Sequence, residues 1–504
     1  MLLANSQQIR QADQIQIEKL AMPGIILMET AGRLATEKLL AFFAEQDDFL
    51  ILAGPGNNGG DGLAMARRLH LAGKRVGVLC SHDPARYRGD AKVNAEILAK
   101  LPVPVRLWKG PTDLDQDWEF TKAPVLVDAL LGTGIESELR GPVREIIQHF
   151  QPQNLECVAV DLPSGLDANT GKVINQVLPA RHTFTFQLPK ICHYVTPAAN
   201  FCGEVHVLDI EIWPEVVAQL GIEREVLDGD FFSRHYRPRQ ADSHKGSFGH
   251  LLLVGGSARM SGAITLAAMA AKKSGVGLAT VFGPGSCRQT VLSRVPEAMC
   301  AAVGDMERKH LQAEDLVEME PLLEGKKALV LGPGLGQHPD TAAFVEQLLT
   351  EVEIPMIIDA DALNILARRP DLWAKLPAST ILTPHPGEMS RLLNDPQCNQ
   401  YRLESAEKLA QSKGMVVVLK GHRTIIALPD GRTYVNPTGN AGMASGGTGD
   451  VLAGMIGALL AQSYPAALAA PLAVWLHGLA GDRSLARLGA EGLTASALIE
   501  DLRF

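Results

Sequence analysis

Short apolar, β-branched runs recur along this chain with helix-patterned segments between them, and they do so in two separate series. Strands spaced by helices cannot pair as tight hairpins; they pair in parallel through crossovers, which restricts the chain to an α/β architecture. In the first series a leader places Leu27, Ala31, Leu34, Ala35, Lys38, Leu39 and Phe42 at helical spacing, and strands are expected at 49–53, 75–80, 125–129, 157–161, 183–187 and 205–210. The second series begins near His250, with strands expected at 251–254, 279–282, 328–331, 356–359, 380–382 and 416–419. Between them, 213–240 is charged and punctuated by proline and aromatic residues, including R-H-Y-R-P-R, and reads as a linker with a helix at its end. No repeat of fixed period relates the two series. At 504 residues the chain exceeds one typical domain, so two different domains are expected, 1–218 and 219–504.

Composition narrows the function. A net charge of −9 disfavours a general nucleic-acid binder, because a phosphate backbone demands a basic face. Any anionic ligand must therefore be held by local loops and helix ends. The seven cysteines are scattered without a C-x-x-C pair, which indicates neither a zinc site nor a disulfide framework and fits a reducing cytoplasm. The N-terminus M-L-L-A-N-S-Q-Q-I-R turns polar too early for a signal peptide. The apolar stretch 465–481 is interrupted by Pro471 and His477 and rich in alanine, so a buried helix is expected there and no membrane span. The chain is expected to act on small molecules, as a homo-oligomer.

The segment N-A-G-M-A-S-G-G-T-G-D, 440–450, carries the most chemistry. Six of the nine residues from Ala441 to Gly449 are glycine or alanine, so backbone N–H groups can approach a phosphate unhindered. Val451, Leu452, Met455, Ile456, Leu459 and Leu460 follow at helical spacing and put Asp450 at the start of a helix, where an ionised carboxylate is favoured. A carboxylate beside bound phosphate is suited to taking the proton from an attacking hydroxyl. The G-x-G-D pattern resembles the ribokinase superfamily of small-molecule kinases.

Other strand ends point to the same site. L-G-P-G-L-G ends at Gly336, I-I-D-A-D-A-L-N carries Asp359 and Asp361, and T-P-H-P-G-E offers His385 to a polar substrate and Glu388 to the water shell of Mg²⁺. L-K-G-H-R-T puts Lys420 where an ammonium can meet phosphate.

In the first series, F-L-I-L-A-G-P-G-N-N-G-G-D-G-L sets a glycine-rich turn between strand and helix. The acidic residue expected at the end of the next strand of a dehydrogenase is out of place, since Asp83 follows V-G-V-L-C-S-H, so a conventional dehydrogenase is disfavoured. Asp128 and Asp161 each close a strand, before A-L-L-G-T-G and L-P-S-G-L-D. The carboxyl ends of parallel strands line one crevice, which Asp61, Asp128 and Asp161 are expected to share, with Asn58 and the Ser164 hydroxyl as further oxygen ligands for a hard cation.

The strings N-N-G-G-D-G-L, A-L-L-G-T-G and D-L-P-S-G-L-D, with the leader L-M-E-T-A-G-R, resemble the NAD(P)H-hydrate epimerase, or YjeF N-terminal, domain. This resemblance implies a Rossmann-like fold and substrate contacts from Asn57, Asn58, Gly59, Gly60 and Asp61 and from Gly132, Thr133, Gly134, Ile135, Glu136, Ser137 and Glu138. It implies K⁺ at Asn58, Asp128 and Ser164, with Asp161 as the acid/base that inverts the hydroxyl-bearing carbon. From about Ser233 onward, S-H-K-G-S-F-G-H, G-A-I-T-L-A-A and V-P-E-A-M join the motifs above in resembling the ribokinase-like ADP-dependent NAD(P)H-hydrate dehydratase. Here the resemblance implies that Ala263, Gly336, His385 and Asp450 contact the hydrated nucleotide. It assigns ADP, with Mg²⁺, to Lys420, Gly421, His422, Arg423 and Thr424 and to Asn440, Ala441, Gly442, Met443, Ala444, Ser445, Gly446, Gly447, Thr448 and Gly449.

Together the two halves imply repair of hydrated NADH and NADPH (NADHX and NADPHX), with Asp450 as the second catalytic residue. Two rival readings stay open at this point. The G-T-G-D loop also suits a plain kinase for a vitamin precursor such as a hydroxymethylpyrimidine. The first domain also suits a non-catalytic module in an RNA-processing assembly.

Overall fold

A computed structural model of the chain describes residues 1–111, 118, 120–134 and 138–504. Two compact units emerge: Leu2–Arg224, and Glu225–Phe504 together with Met1.

In the N-terminal unit the strands are β1 (Asp48–Ala53), β2 (Arg75–Cys80), β3 (Val105–Leu107), β4 (Val125–Ala129), β5 (Cys157–Val160), β6 (His182–Phe186) and β7 (Glu204–Leu208). They form one sheet in the order β3-β2-β1-β4-β5-β6-β7, with every neighbouring pair parallel. β1, β4, β5 and β6 are buried along their whole length, which is why they read as unbroken apolar runs rather than as alternating ones. The order reverses between β1 and β4, so the turns that leave these two strands splay apart and open a crevice at the carboxyl edge. The glycine-rich turn after β1 starts the helix Asn57–Leu71 inside that crevice. Gly59 is required there, because a β-carbon on it would lie 1.9 Å from the carbonyl oxygen of Gly54.

The C-terminal unit adds β8 (Arg224–Val226), β9 (His250–Val254), β10 (Leu278–Pro284), β11 (Met299–Val303), β12 (Ala328–Leu331), β13 (Met356–Ile358), β14 (Ile381–Leu382), β15 (Val416–Leu419), β16 (Ile425–Ala427) and β17 (Thr433–Val435). Its sheet runs β11-β10-β9-β12-β13-β14-β15-β16-β17-β8, parallel from β11 to β15 and antiparallel through β16 and β17. The switch point lies between β9 and β12, beneath the helix Thr448–Ala461, which is buried from Val451 to Ala461. The alanine-rich stretch around Pro471 lies in the helix Ala466–Leu488, one side of which belongs to the main core. Among the described residues no helix is long and apolar enough to cross a membrane.

The expected strands all form, with ends displaced by one or two residues. Five further strands, β3, β8, β11, β16 and β17, escaped the sequence reading. Four of them are three residues long, and β3 and β11 are partly exposed strands at sheet edges, so neither length nor hydrophobicity marked them. The expected linker is more ordered than its composition suggested: it holds the helices Pro214–Ala218 and Gly229–His235 with β8 between them.

Candidate functional site

A cavity of about 560 Å³ opens at the carboxyl edge of the N-terminal sheet, within the usual size range of small-molecule sites. Asn57, Asn58, Asp61, Gly132, Thr133, Gly134 and Asp161 line it, joined by Asp13 and Lys190. Asp161 follows β5 directly at a φ of +65°, a backbone turn that brings its carboxylate to Thr185 of the neighbouring strand. Lys190 Nζ, 1% exposed, donates to Asp161 Oδ1 at 2.5 Å and to Thr185 Oγ1 at 2.7 Å. Thr185 Oγ1 also donates to Asp161 Oδ1, at 3.2 Å.

His193 supports this pair from behind. Its Nδ1 accepts the Lys190 backbone N–H at 3.0 Å, so the ring proton sits on Nε2 and is donated to the Asp161 carbonyl at 2.9 Å. Burial, aided by the Lys190 charge, pushes its pKa down to about 3, so the ring is neutral. Two further carboxyls face the pair. Burial raises Asp61 well above the carboxylate range, with Asp161 and Asp13 adding to the rise. Asp13 is raised to about 6 by burial, against the pull of Lys190.

Asp128 does not share this crevice. It is fully buried and absent from the cavity lining, because Ser164 draws it inward: Oδ2 accepts the Ser164 N–H at 2.8 Å and Oδ1 its hydroxyl at 2.7 Å. The link to the cavity is the Leu131 peptide. Its N–H donates to Ser164 Oγ at 3.0 Å, and its carbonyl accepts Asn58 Nδ2 at 2.9 Å. Asn58 Oδ1 is buried without a hydrogen-bond partner. An orphaned carbonyl oxygen, linked through Leu131 to a hydroxyl and a buried carboxylate, is a donor set that fits a hard monovalent cation. Glu138 is exposed and lies off the cavity, while Ile135, Glu136 and Ser137 lie outside the described residues.

In the C-terminal unit a second constellation gathers beyond the carboxyl ends of β13, β14 and β15. Lys420 follows directly on β15, and its Nζ meets Asp359 Oδ1 at 2.6 Å and Glu388 Oε2 at 3.9 Å. Burial alone would favour a neutral amine, but Asp359, Glu388 and Asp450 outweigh it and hold the pKa above its ordinary value. The ammonium lies 3.5 Å from where a β-carbon on Gly449 would sit, so the cation abuts the G-T-G-D turn. Asp450 falls in the first turn of the helix Thr448–Ala461, as expected. Its titration differs from the sequence expectation: burial, reinforced by Asp359 and Asp361, raises it to about 7, so desolvation exceeds the favourable helix end.

The turn 331–336 brings Gly336 beside the acidic helix start. Its N–H donates to Asp361 Oδ2 at 2.8 Å. Gly332, at a φ of +131°, cannot be replaced without collision, since a β-carbon would lie 1.8 Å from the Asp359 carbonyl. The turn also reaches Ala263, because a β-carbon on Gly334 would lie 3.0 Å from that of Ala263.

His385 caps the helix Pro386–Leu393. Its Nδ1 accepts the N–H groups of Gly387 and Glu388, leaving Nε2 protonated, 3.4 Å from Glu388 Oε1, on a half-exposed ring. The ring pKa is lowered by burial and by the Lys420 charge. Glu388 is 4% exposed, accepts the His385 N–H at 2.7 Å, and is raised to about 7 by burial.

The loop 440–449 is held by residues the sequence reading missed. Asp482 accepts from the Gly439 N–H at 3.1 Å and from Asn440 Nδ2 at 2.9 Å. His477, buried, is 2.9 Å from the Thr448 carbonyl through Nε2. Arg402 reaches under the 420–424 turn to the carbonyls of Lys420 and His422. Together these contacts fix the backbone while Ala441, Ala444, Ser445 and Gly446 stay at the surface. Lys190 could have been found in the sequence as a lysine in L-P-K-I-C-H just past a strand. Nothing local marks Asp13 or Asp482, each of which lies in a helix far along the chain from its partners.

The family model described as YjeF-related protein N-terminus matches residues 24–192, and that described as NAD(P)H-hydrate dehydratase matches residues 251–503. The bifunctional NAD(P)H-hydrate repair enzyme Nnr of Moorella thermoacetica is 38% identical over 510 residues, spanning 100% of this chain and 96% of its own. That of Escherichia coli K12 is 34% identical, spanning 98% and 92%. A ribokinase-like superfamily protein of Enterococcus faecalis V583 superposes with a TM-score of 0.50 at 31% identity, over 56% of this chain and 94% of that one. Matched by both models in series and by relatives from end to end, the chain belongs to the family of bifunctional NAD(P)H-hydrate repair enzymes.

Proposed function

We propose that this protein restores hydrated nicotinamide cofactors by two reactions at two sites. Residues 1–218 interconvert the R and S epimers of hydrated NADH and NADPH. Residues 219–504 dehydrate the S epimer at the expense of ADP, giving AMP and phosphate. The observation that carries this reading is the presence in one chain of two distinct acid/base constellations, Asp161 with Lys190 and Asp450 with Lys420.

Inversion at the hydroxyl-bearing carbon requires a proton to leave and return. Asp161, with an oxygen 2.5 Å from the Lys190 ammonium, is placed to carry it, and Lys190 stabilises the carboxylate between turns. The loop Asn57 to Asp61 and Gly132 to Gly134 would hold the nucleotide through backbone N–H groups. Asn58, Asp128 and Ser164 would hold K⁺, whose charge offsets the anionic substrate.

Dehydration begins when Asp450 takes the proton of the ring hydroxyl. The freed oxygen bonds to the terminal phosphorus of ADP as the bond to AMP breaks, and AMP leaves with that electron pair. The ring nitrogen lone pair then expels phosphate as the C–O bond breaks. Loss of a proton from the adjacent ring carbon restores the dihydronicotinamide. Lys420 and the N–H groups of 440–449 counter charge on the moving phosphoryl group, and the His385 Nε2–H faces the substrate with Gly336 and Ala263. Mg²⁺ arrives with ADP as part of the substrate, and Glu388, poised near pH 7, would order its water shell. The seven free cysteines are compatible with work in a reducing cytoplasm.

The test supplies mixed epimers of hydrated NADH with ADP and Mg²⁺ and follows reduced-nicotinamide absorbance. Full recovery is expected, stopping at the S fraction in Asp161→Ala. No recovery with either ADP or ATP overturns the proposal.

A further inference from the structure

We propose that His182, Glu204 and His206 form a binding site for one divalent transition-metal ion of the zinc class, on the N-terminal unit and apart from its cavity. His182 is the first residue of β6 and Glu204 the first of β7, and the two are partners in register. His206 follows two residues later, opposite Phe184. Residues two apart on a strand share a face, so the pairing of β6 with β7 brings all three side chains together. They sit at the amino ends of strands whose carboxyl ends serve the cavity, and none of them lines it.

Three ligand atoms converge there. His182 Nδ1 lies 3.1 Å from His206 Nε2, and Glu204 Oε2 lies 3.5 Å from the first and 3.7 Å from the second. A tetrahedral Zn²⁺ with nitrogen and oxygen bonds of about 2.0–2.1 Å keeps its ligand atoms roughly 3.3–3.4 Å apart. The observed triangle brackets that spacing, so an ion can sit close above it without rearrangement of the chain. Two imidazoles and one carboxylate form a three-ligand set that leaves a fourth position for water. Phe42 sets the ring orientation. It stacks on His182 with centroids 4.2 Å apart and planes 10° apart, and its centroid lies 4.8 Å from that of His206. A hydrogen bond between the two histidines would account for their approach alone. It gives no reason for Glu204, 65% exposed at its side chain, to turn back onto both rings. The ion would clasp the edge strand β7 to β6.

The experiment uses the full chain stripped of metal with a chelator. It is run in a His338→Gln background, so that a second and more exposed cluster of His310, His338 and Asp340 does not contribute to the signal. Titration calorimetry with Zn²⁺ is expected to give one equivalent bound at micromolar affinity or tighter, with a rise in Tm. Co²⁺ is expected to give the intense visible absorption of a tetrahedral site. Glu204→Gln should weaken binding at least tenfold, and His206→Gln should abolish it. Epimerase turnover without added metal should stay at its parental value in Glu204→Gln. Absence of a bound equivalent, or equal binding in parent and both variants, overturns the proposal. If His206→Gln fails to fold, the tenfold loss in the exposed Glu204→Gln variant alone decides, and unchanged affinity there overturns the proposal.

Discussion

Lys190 and Asp161 form a buried ion pair, 2.5 Å between Nζ and Oδ1, in the wall of the N-terminal cavity. The lysine is 1% exposed and reaches its partner from the segment that follows β6, with Thr185 bonded to both. Such a pair is costly to break from one side, because the remaining charge is left buried.

Lys190→Met is therefore expected to abolish epimerisation and to lower stability by roughly 3–5 kcal/mol. Asp161→Ala in the same chain should restore part of that stability, since no carboxylate is then left unpaired. Thermal unfolding of both single variants and the double variant checks this. Purely additive losses would rule out the pair as the source.

Asp450→Asn is expected to reduce dehydration by about 10²- to 10⁴-fold while epimerisation continues. The two activities separate in one assay if R and S epimers are resolved chromatographically. Full dehydratase turnover in this variant would remove Asp450 from the role of base.

The pH dependence follows from Asp450 and Glu388, both raised to about 7. Dehydration should climb as pH rises through that value, because the base must be ionised. Glu388→Gln should keep the rising limb and Asp450→Asn should lose it. Stability moves the other way. Between the ordinary carboxylate range and pH 7 the folded protein holds a proton on Asp450 that the unfolded chain releases, so rising pH destabilises the fold across that window. A shift of this size corresponds to roughly 4 kcal/mol. Asp450→Asn should then raise Tm at pH 8 and leave it nearly unchanged at pH 4.

Asn58 Oδ1 is the unpartnered oxygen beside the Leu131 peptide. Replacing K⁺ with a bulky organic cation at constant ionic strength should slow epimerisation. Asn58→Ala should raise the K⁺ concentration needed for half-maximal rate by roughly 10- to 100-fold. An epimerase rate indifferent to the cation would exclude the site.

Asp482 holds Gly439 and Asn440 at the start of the loop 440–449. Asp482→Ala should raise KM for ADP by about tenfold with a smaller change in kcat, the mark of lost uniform binding. Initial rates across ADP concentrations read this directly.

The sequence by itself determined two mostly parallel sheets, since buried strands must be apolar throughout and their crossovers helical. It determined the glycine-rich turns, the strand-end acid Asp161 and the helix-start acid Asp450, because backbone approach, the strand-to-loop transition and the first turn of a helix leave local signatures. Short strands such as β16 and β17 left none, being too brief for a periodicity to register. Only the tertiary structure decided the partners. Lys190 meets Asp161 from 29 residues away and Lys420 meets Asp359 from 61, and a salt bridge across strands has no sequence spacing. It also withdrew Asp128 from the cavity behind Ser164, and raised Asp450 to about 7 where its helix end alone suggested a lower value. Both outcomes rest on how the whole unit packs around a group, which sets its hydrogen bonds and its desolvation and so cannot be read from its neighbours in the chain.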